Sequence, residues 1–159
     1  MTYKVLFVCL GNICRSTMAE AVLNHLLQSQ NLSDKVHVDS CGTAGYHIGK
    51  LPDPRGLAVM HEHGFDSDHR ARLLSTSDFS DFDIIFGMDD SNIYDINLVA
   101  KKAEKKGVNL KSKIEKLGCY DPDKVIDVND PYYGEDEDFE FQPRESVSAS
   151  AKVGPPPGL

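Results

Sequence analysis

Residues 4–27, KVLFVCLGNICRSTMAEAVLNHLL, decide how this chain folds. The run VLFVCL near its front is continuous and apolar, which suits a strand buried on both faces, as in a parallel sheet. Gly11 and Asn12 follow, two residue types that tolerate a positive φ. Ser16 and Thr17 are helix-starting side chains, and Glu20 is read as a first-turn acid facing the positive end of the helix dipole. Met18, Val22 and Leu26 recur every four residues, and Ala19, Leu23 and Leu27 do so one position on, giving one apolar stripe. The order is therefore strand, tight loop, helix.

Outward from this unit the alternation continues. Val36 to Ser40 reads as a second strand. Asp53-Pro54 is an N-cap followed by proline at the first helical position, and Gly64 closes that helix. Phe82 to Met88 is a third strand. Ser91 to Lys106 is helical, with Ile93, Ile96, Val99, Ala100 and Ala103 on one face and Gly107 as its stop. Lys113 to Cys119 supplies a fourth strand. Strands alternating with helices imply an α/β fold with a parallel sheet and right-handed crossovers. Ligands bind such sheets at the C-terminal ends of the strands, so the loop at residues 9–16 is where chemistry is expected.

A chain of 159 residues with 40% apolar and 26% charged residues fits one globular domain. Its formal charge of -8 disfavours nucleic acid and anionic membranes as partners, so attraction for an anionic substrate must be local. No apolar run reaches membrane-spanning length, and MTYKVLFVCLGN lacks the order of a signal peptide, so the expected location is the cytoplasm. The four cysteines, Cys9, Cys14, Cys41 and Cys119, are then reduced thiols. No C-x-x-C pair is present to hold zinc, and no metal or cofactor is expected.

The loop reads Cys9-Leu10-Gly11-Asn12-Ile13-Cys14-Arg15-Ser16, with five residues between Cys9 and Arg15. A loop of that length wraps a tetrahedral oxyanion, its backbone N–H groups turned inward and a helix N-terminus behind it. Arg15 closes the ring with a planar fork for two phosphoryl oxygens. The same field favours the thiolate of Cys9, with Ser16 as a donor to the sulfur. Attack by Cys9 on phosphorus gives a phosphocysteine and splits hydrolysis into two steps, without need of a metal.

VCLGNICRS followed by MAEAV resembles the signature of low-molecular-weight protein tyrosine phosphatases, and DSCGT, PDPR, MDDSN and DPYYG match further landmarks in the same order. The resemblance covers about residues 3–140 and implies a flavodoxin-like three-layer fold, a four-stranded parallel sheet with helices on both faces. It implies hydrolysis of phosphotyrosine in proteins and of small aryl phosphates, with phosphate and vanadate as ligands. By the resemblance, Cys9 is the nucleophile, Arg15 the phosphate clamp and Asp130 the general acid. Asn12 and Ser40 hold the strained loop open and Ser16 assists the thiolate. Tyr46, Tyr132 and Tyr133 belong to the substrate pocket. His69 and Asp89 match a supporting polar network outside the catalytic set. Cys14, inside the same loop, is a candidate redox partner of Cys9, and equally a residue that simply packs beneath the loop.

Three departures stand against the family pattern: Thr17 where proline is frequent, Asn129 where an acid usually precedes Asp130, and the end of the chain. Residues 141–159 hold Pro143, SVSASA and GPPPG in place of an amphipathic helix, and are expected to form a disordered tail after a domain at 1–140. Rival readings are an arsenate reductase, which needs cysteines that residues 42–118 lack; a protein arginine phosphatase, which carries threonine where Ile13 stands; and a phosphate- or phosphopeptide-binding or weakly active variant.

Overall fold

In the computed structural model, residues 2–120 are described. Asp130, Tyr132, Tyr133 and the segment 141–159 lie outside them, and so does the expectation of a disordered tail. The described chain runs β1 (Tyr3–Cys9), α1 (Arg15–Ser29), β2 (Val36–Gly42), α2 (Pro54–Glu62), α3 (Asp78–Asp81), β3 (Ile84–Gly87), α4 (Asp90–Lys105) and β4 (Lys113–Lys116), followed by a 3-10 turn at Leu117–Tyr120. The four strands form one sheet in the order β2-β1-β3-β4, every pair parallel.

β1 sits centrally because it is apolar on both faces. Val5, Phe7 and Cys9 face one layer with Ala19, Leu23 and Leu27 of α1, and Phe7 stacks on Phe86 of β3 with ring centroids 5.6 Å apart. Leu6 and Val8 face the other layer with Phe79, Ile85, Ile96, Ala100 and Ala103. Val5, Leu6, Phe7 and Val8 are all fully buried. Each such side chain contributes on the order of 1.5–3 kcal/mol. The α1 stripe is buried as its spacing implies, except that Leu26 is only half-buried.

The local punctuation is mostly as the sequence suggests. Asp53 caps α2 by accepting from the Arg55 N–H at 2.9 Å, Pro54 takes the first turn, and Gly64 follows with φ 80°. Asp89 caps α4 through the Asn92 N–H at 2.8 Å, so that helix starts at Asp90, and Gly107 lies just beyond its end with φ 80°. β4 is shorter than Lys113 to Cys119, because the chain tightens into the 3-10 turn at Leu117.

The start of α1 differs from expectation. The helix begins at Arg15, its N-cap is Cys14, and no side chain caps it. Ser16 lies inside the first turn with its hydroxyl 3.0 Å from Cys9 Sγ, while the Thr17 hydroxyl donates back to the Cys14 carbonyl at 3.0 Å. The hydroxyls offered as caps are taken up by the loop. Glu20 is consequently past the first turn.

Register brings the loop to the sheet edge facing the site. Cys9 at the end of β1 lies opposite Gly42 at the end of β2. A Cβ on Gly42 would lie 2.7 Å from the Leu10 carbonyl oxygen and 3.1 Å from the Asn12 nitrogen. Both are backbone atoms with little room to yield, so glycine is what lets the loop rest on β2.

Candidate active site

The loop between β1 and α1 is held from outside by its carbonyls. The Cys9 and Leu10 oxygens accept from the N–H groups of Thr43 at 3.0 Å and Ala44 at 2.9 Å. The Ile13 oxygen accepts from Asp53 N–H at 2.7 Å and the Cys14 oxygen from Met18 N–H at 3.1 Å. Carbonyls turned outward send the intervening N–H groups the other way. Asn12 N–H accordingly donates to Cys9 Sγ at 3.2 Å. This is the geometry of an anion cradle with a sulfur at its floor.

Asn12 fixes the loop. Its backbone is left-handed, φ 58°, and its side chain is almost wholly buried. Nδ2 donates to Ser16 Oγ at 2.8 Å and to Ser40 Oγ at 3.0 Å. Oδ1 accepts from Arg72 N–H at 3.0 Å and lies 2.8 Å from His69 Nε2. Because Ser16 Oγ accepts from Asn12, its own proton is available to Cys9 Sγ. Ser40 likewise accepts from Asn12 and donates to Glu20 Oε1 at 2.6 Å. The expected loop residues Leu10, Gly11, Asn12, Ile13, Cys14, Arg15 and Ser16 are therefore contiguous with the supporting Ser40. Cys14 packs with Ile13, Val59 and Ala71, and Cys9, Cys14 and Cys41 are not joined in disulfides.

Arg15 is almost fully buried, and its Nη1 donates to Asp89 Oδ2 at 2.7 Å. Asp89 therefore has two tasks, capping α4 and orienting the arginine, which is the supporting polar role the resemblance implies. Tyr46 stands on the loop after β2, 73% exposed, with its ring edge-on to His47 at 6.4 Å. A Cβ on Gly11 would lie 2.9 Å from His47 Cδ2, so the His47 ring lies over the loop. His47 has no distinguishing pattern in the sequence; only the fold places it there.

Burial pushes the Glu20 carboxyl up to about 7, with the Ser40 hydrogen bond pulling the other way. Burial lowers His69 from its ordinary value, against the pull of Asp39. Burial likewise holds the Cys41 thiol well above its ordinary value, which keeps it a neutral core side chain.

A model of the family described as low molecular weight phosphotyrosine protein phosphatase matches residues 4–150. The chain belongs to that family. The human low molecular weight phosphotyrosine protein phosphatase is 50% identical over 139 residues, which is 87% of this chain and 85% of its own. Among solved structures, a protein tyrosine phosphatase from Entamoeba histolytica, with Hepes in its active site, superposes with a TM-score of 0.85 at 36% identity. That match covers 96% of this chain and 94% of the other. A Drosophila arginine phosphatase gives 0.87 at 36% identity, over 94% of each chain. Low molecular weight phosphotyrosine phosphatases are hydrolases, and the α/β fold with its four-stranded parallel sheet is the one these relatives share. Among the described residues, no helix is long and apolar enough to cross a membrane.

The contacts of Asn12 set an expectation for this phosphatase scaffold. Asn12→Ala leaves several buried polar groups without partners and keeps the positive φ, so stability should fall by about 2–4 kcal/mol. Asn12→Gly relieves the backbone only and should recover about 1 kcal/mol of that loss. Urea unfolding of the two variants measures both quantities. Full recovery in the glycine variant would make the side-chain bonds energetically irrelevant.

Proposed function

We propose that this protein hydrolyses phosphotyrosine in proteins, and small aryl phosphates, through a phosphocysteine on Cys9. The observation that carries this reading is the convergence of the Asn12 N–H and the Ser16 hydroxyl on Cys9 Sγ, at the head of a loop that ends in Arg15. Sγ attacks phosphorus, the S–P bond forms, and the P–O bond to the phenol breaks. Asp130 protonates the departing phenolate. It then takes a proton from water, which attacks phosphorus, frees phosphate and returns the sulfur. Arg15, oriented by Asp89, holds the equatorial oxygens as their charge is redistributed. By the resemblance to the family, we assign Tyr46, Tyr132 and Tyr133 to the pocket for the aromatic ring. The partners are phosphotyrosine proteins of the cytoplasm, where the free thiols stay reduced. Inorganic phosphate and vanadate occupy the cradle as ligands.

Turnover of p-nitrophenyl phosphate without added metal, with phosphotyrosine and phosphoarginine peptides compared side by side, tests this function. Cys9→Ser should abolish turnover and retain vanadate binding, because the cradle is built from backbone and Arg15. Substantial residual turnover would remove Cys9 as nucleophile.

Asp130→Asn should slow phosphoryl transfer from phenols of high pKa more than from those of low pKa, since a good leaving group departs without much protonation. Equal losses across a series of aryl phosphates, read before the steady state, would exclude Asp130 as the acid.

We also propose that Cys14 protects the nucleophile. Peroxide oxidises Cys9 to a sulfenic acid, and the Cys14 thiol displaces its oxygen as water to form a disulfide. Peroxide-treated protein should regain activity with dithiothreitol and yield a Cys9–Cys14 peptide by mass spectrometry. Loss that dithiothreitol does not reverse, with no such peptide, would assign Cys14 to packing alone.

A further inference from the structure

Exposed large apolar side chains fall in two places among the described residues. Tyr46, Ile48, Leu51 and Leu73 belong to the stretch between β2 and α3 that borders the Cys9 loop. Tyr94, Leu98 and Leu110 do not: they stand on α4 and on its connection to β4, 66%, 42% and 41% exposed. Helical spacing puts Tyr94, Leu98, Lys101, Lys102 and Lys105 along one outer stripe of α4. Beside that stripe runs a groove of about 490 Å³. Phe79, Ala100 and Ile114 line its apolar part, and Leu110, Lys101 and Glu104 bring exposed side chains to it.

The same face carries concentrated positive charge in an acidic chain. Residues 101–116 hold seven of the 17 basic side chains and only two acids, Glu104 and Glu115. Three of the lysines are paired: Lys111 with Asp83 at 3.5 Å, Lys113 with Glu115 at 2.7 Å and Lys116 with Asp90 at 2.8 Å. Lys101, Lys102, Lys105 and Lys106 are exposed and make no ion pair with the described residues. The helix dipole favours cations in that last turn. It gives no reason for Leu98 and Leu110 to stay in water next to them. Apolar side chains and unpaired charges of one sign around a groove are the anatomy of a docking surface.

We propose that this face docks an acidic peptide segment of a partner protein. One bulky apolar side chain of the peptide enters the groove, and its carboxylates meet Lys101, Lys102 and Lys105. Charge decides the occupant. The whole chain is at -8, so an anionic bilayer or a nucleic acid would meet repulsion from the rest of the surface, whereas a short peptide feels chiefly the lysines at hand. A concave groove also suits a single side chain better than it suits a flat membrane. The position leaves the reaction free. Ser112 Oγ donates to the Phe79 carbonyl at 2.9 Å, and both residues precede the parallel strands β3 and β4. The groove therefore lies at the end of the sheet opposite to Cys9, which closes β1. A partner held there leaves the Cys9 loop open.

The test uses the full-length, isotope-labelled chain and synthetic peptides in which four glutamates flank one leucine, isoleucine, phenylalanine or tryptophan. At least one peptide should shift the amide resonances of residues 98–114 in a saturable way and leave those of 9–16 in place, and added salt should weaken it. Replacing its apolar residue by glycine should weaken binding about tenfold. The double variant Lys101→Glu/Lys105→Glu should do the same, and Leu110→Ser should weaken it too. Both protein variants should turn over p-nitrophenyl phosphate as the parent does. Cys9→Ser should bind the peptide as the parent does, so the outcome does not depend on the reaction assigned to that cysteine. No saturable shift with any of the peptides overturns the proposal. So do shifts confined to 9–16, or equal affinity for the glycine peptide. Binding to vesicles containing phosphatidylserine that is tighter than any peptide and lost in the lysine variant assigns the face to membranes instead.

Discussion

The Asn12 carboxamide makes two hydrogen bonds as donor, to Ser16 and Ser40, and takes part in two more at its oxygen, with Arg72 N–H and His69. That uses the full capacity of the side chain: two N–H protons and two lone pairs. The four partners come from α1, from β2 and from the stretch at 69–72, so one small group joins three parts of the chain that sequence separates by up to 60 residues. It does so from a backbone with φ 58°, a conformation that asparagine tolerates better than most residues. The position of Cys9 Sγ follows from this, because one donor to the sulfur is the Asn12 N–H and the other is the Ser16 hydroxyl that Asn12 orients.

Much of this arrangement was readable in advance where the physics is local. An apolar run buried on both faces, the helical stripe of α1 and the Asp-Pro start of α2 each carry their cause within a few residues. The cysteine–arginine spacing and the tolerance of Asn12 for positive φ likewise sit inside one loop. What was not readable depends on long-range pairing. Asp89 orients Arg15 across 74 residues, and Arg72 reaches both Asp39 and Asp78. Charged residues of these types are abundant in the chain, so composition does not single out the few that meet. Ser16 carries two local readings, helix cap and partner of the sulfur, and the 3.0 Å contact with Cys9 Sγ matches the second.

Charge is organised on two scales. The chain as a whole is acidic, at -8, which repels a phosphorylated partner at long range. The loop compensates at short range with directed N–H groups and one buried arginine. Arg15 is partly balanced by Asp89, so the cradle holds a cation without an uncompensated buried charge. Arg72 plays the corresponding part on the far side of Asn12, paired with Asp39 and Asp78. Both arginines are thus anchored by acids, and the pull on an anion at the loop comes from directed N–H groups and the Arg15 fork, not from a net positive patch.

Strand β1 sends Val5, Phe7 and Cys9 to one layer and Leu6 and Val8 to the other. This parity works like a two-stroke ratchet. Losing or gaining one residue within the strand would swap the layers and point the sulfur away from α1, even with every loop residue unchanged. Losing or gaining two would keep the parity but shift Cys9 out of line with Gly42. A change of length is therefore tolerable only in the connections away from the site, and the strand that looks like mere core is the part of the chain least open to editing.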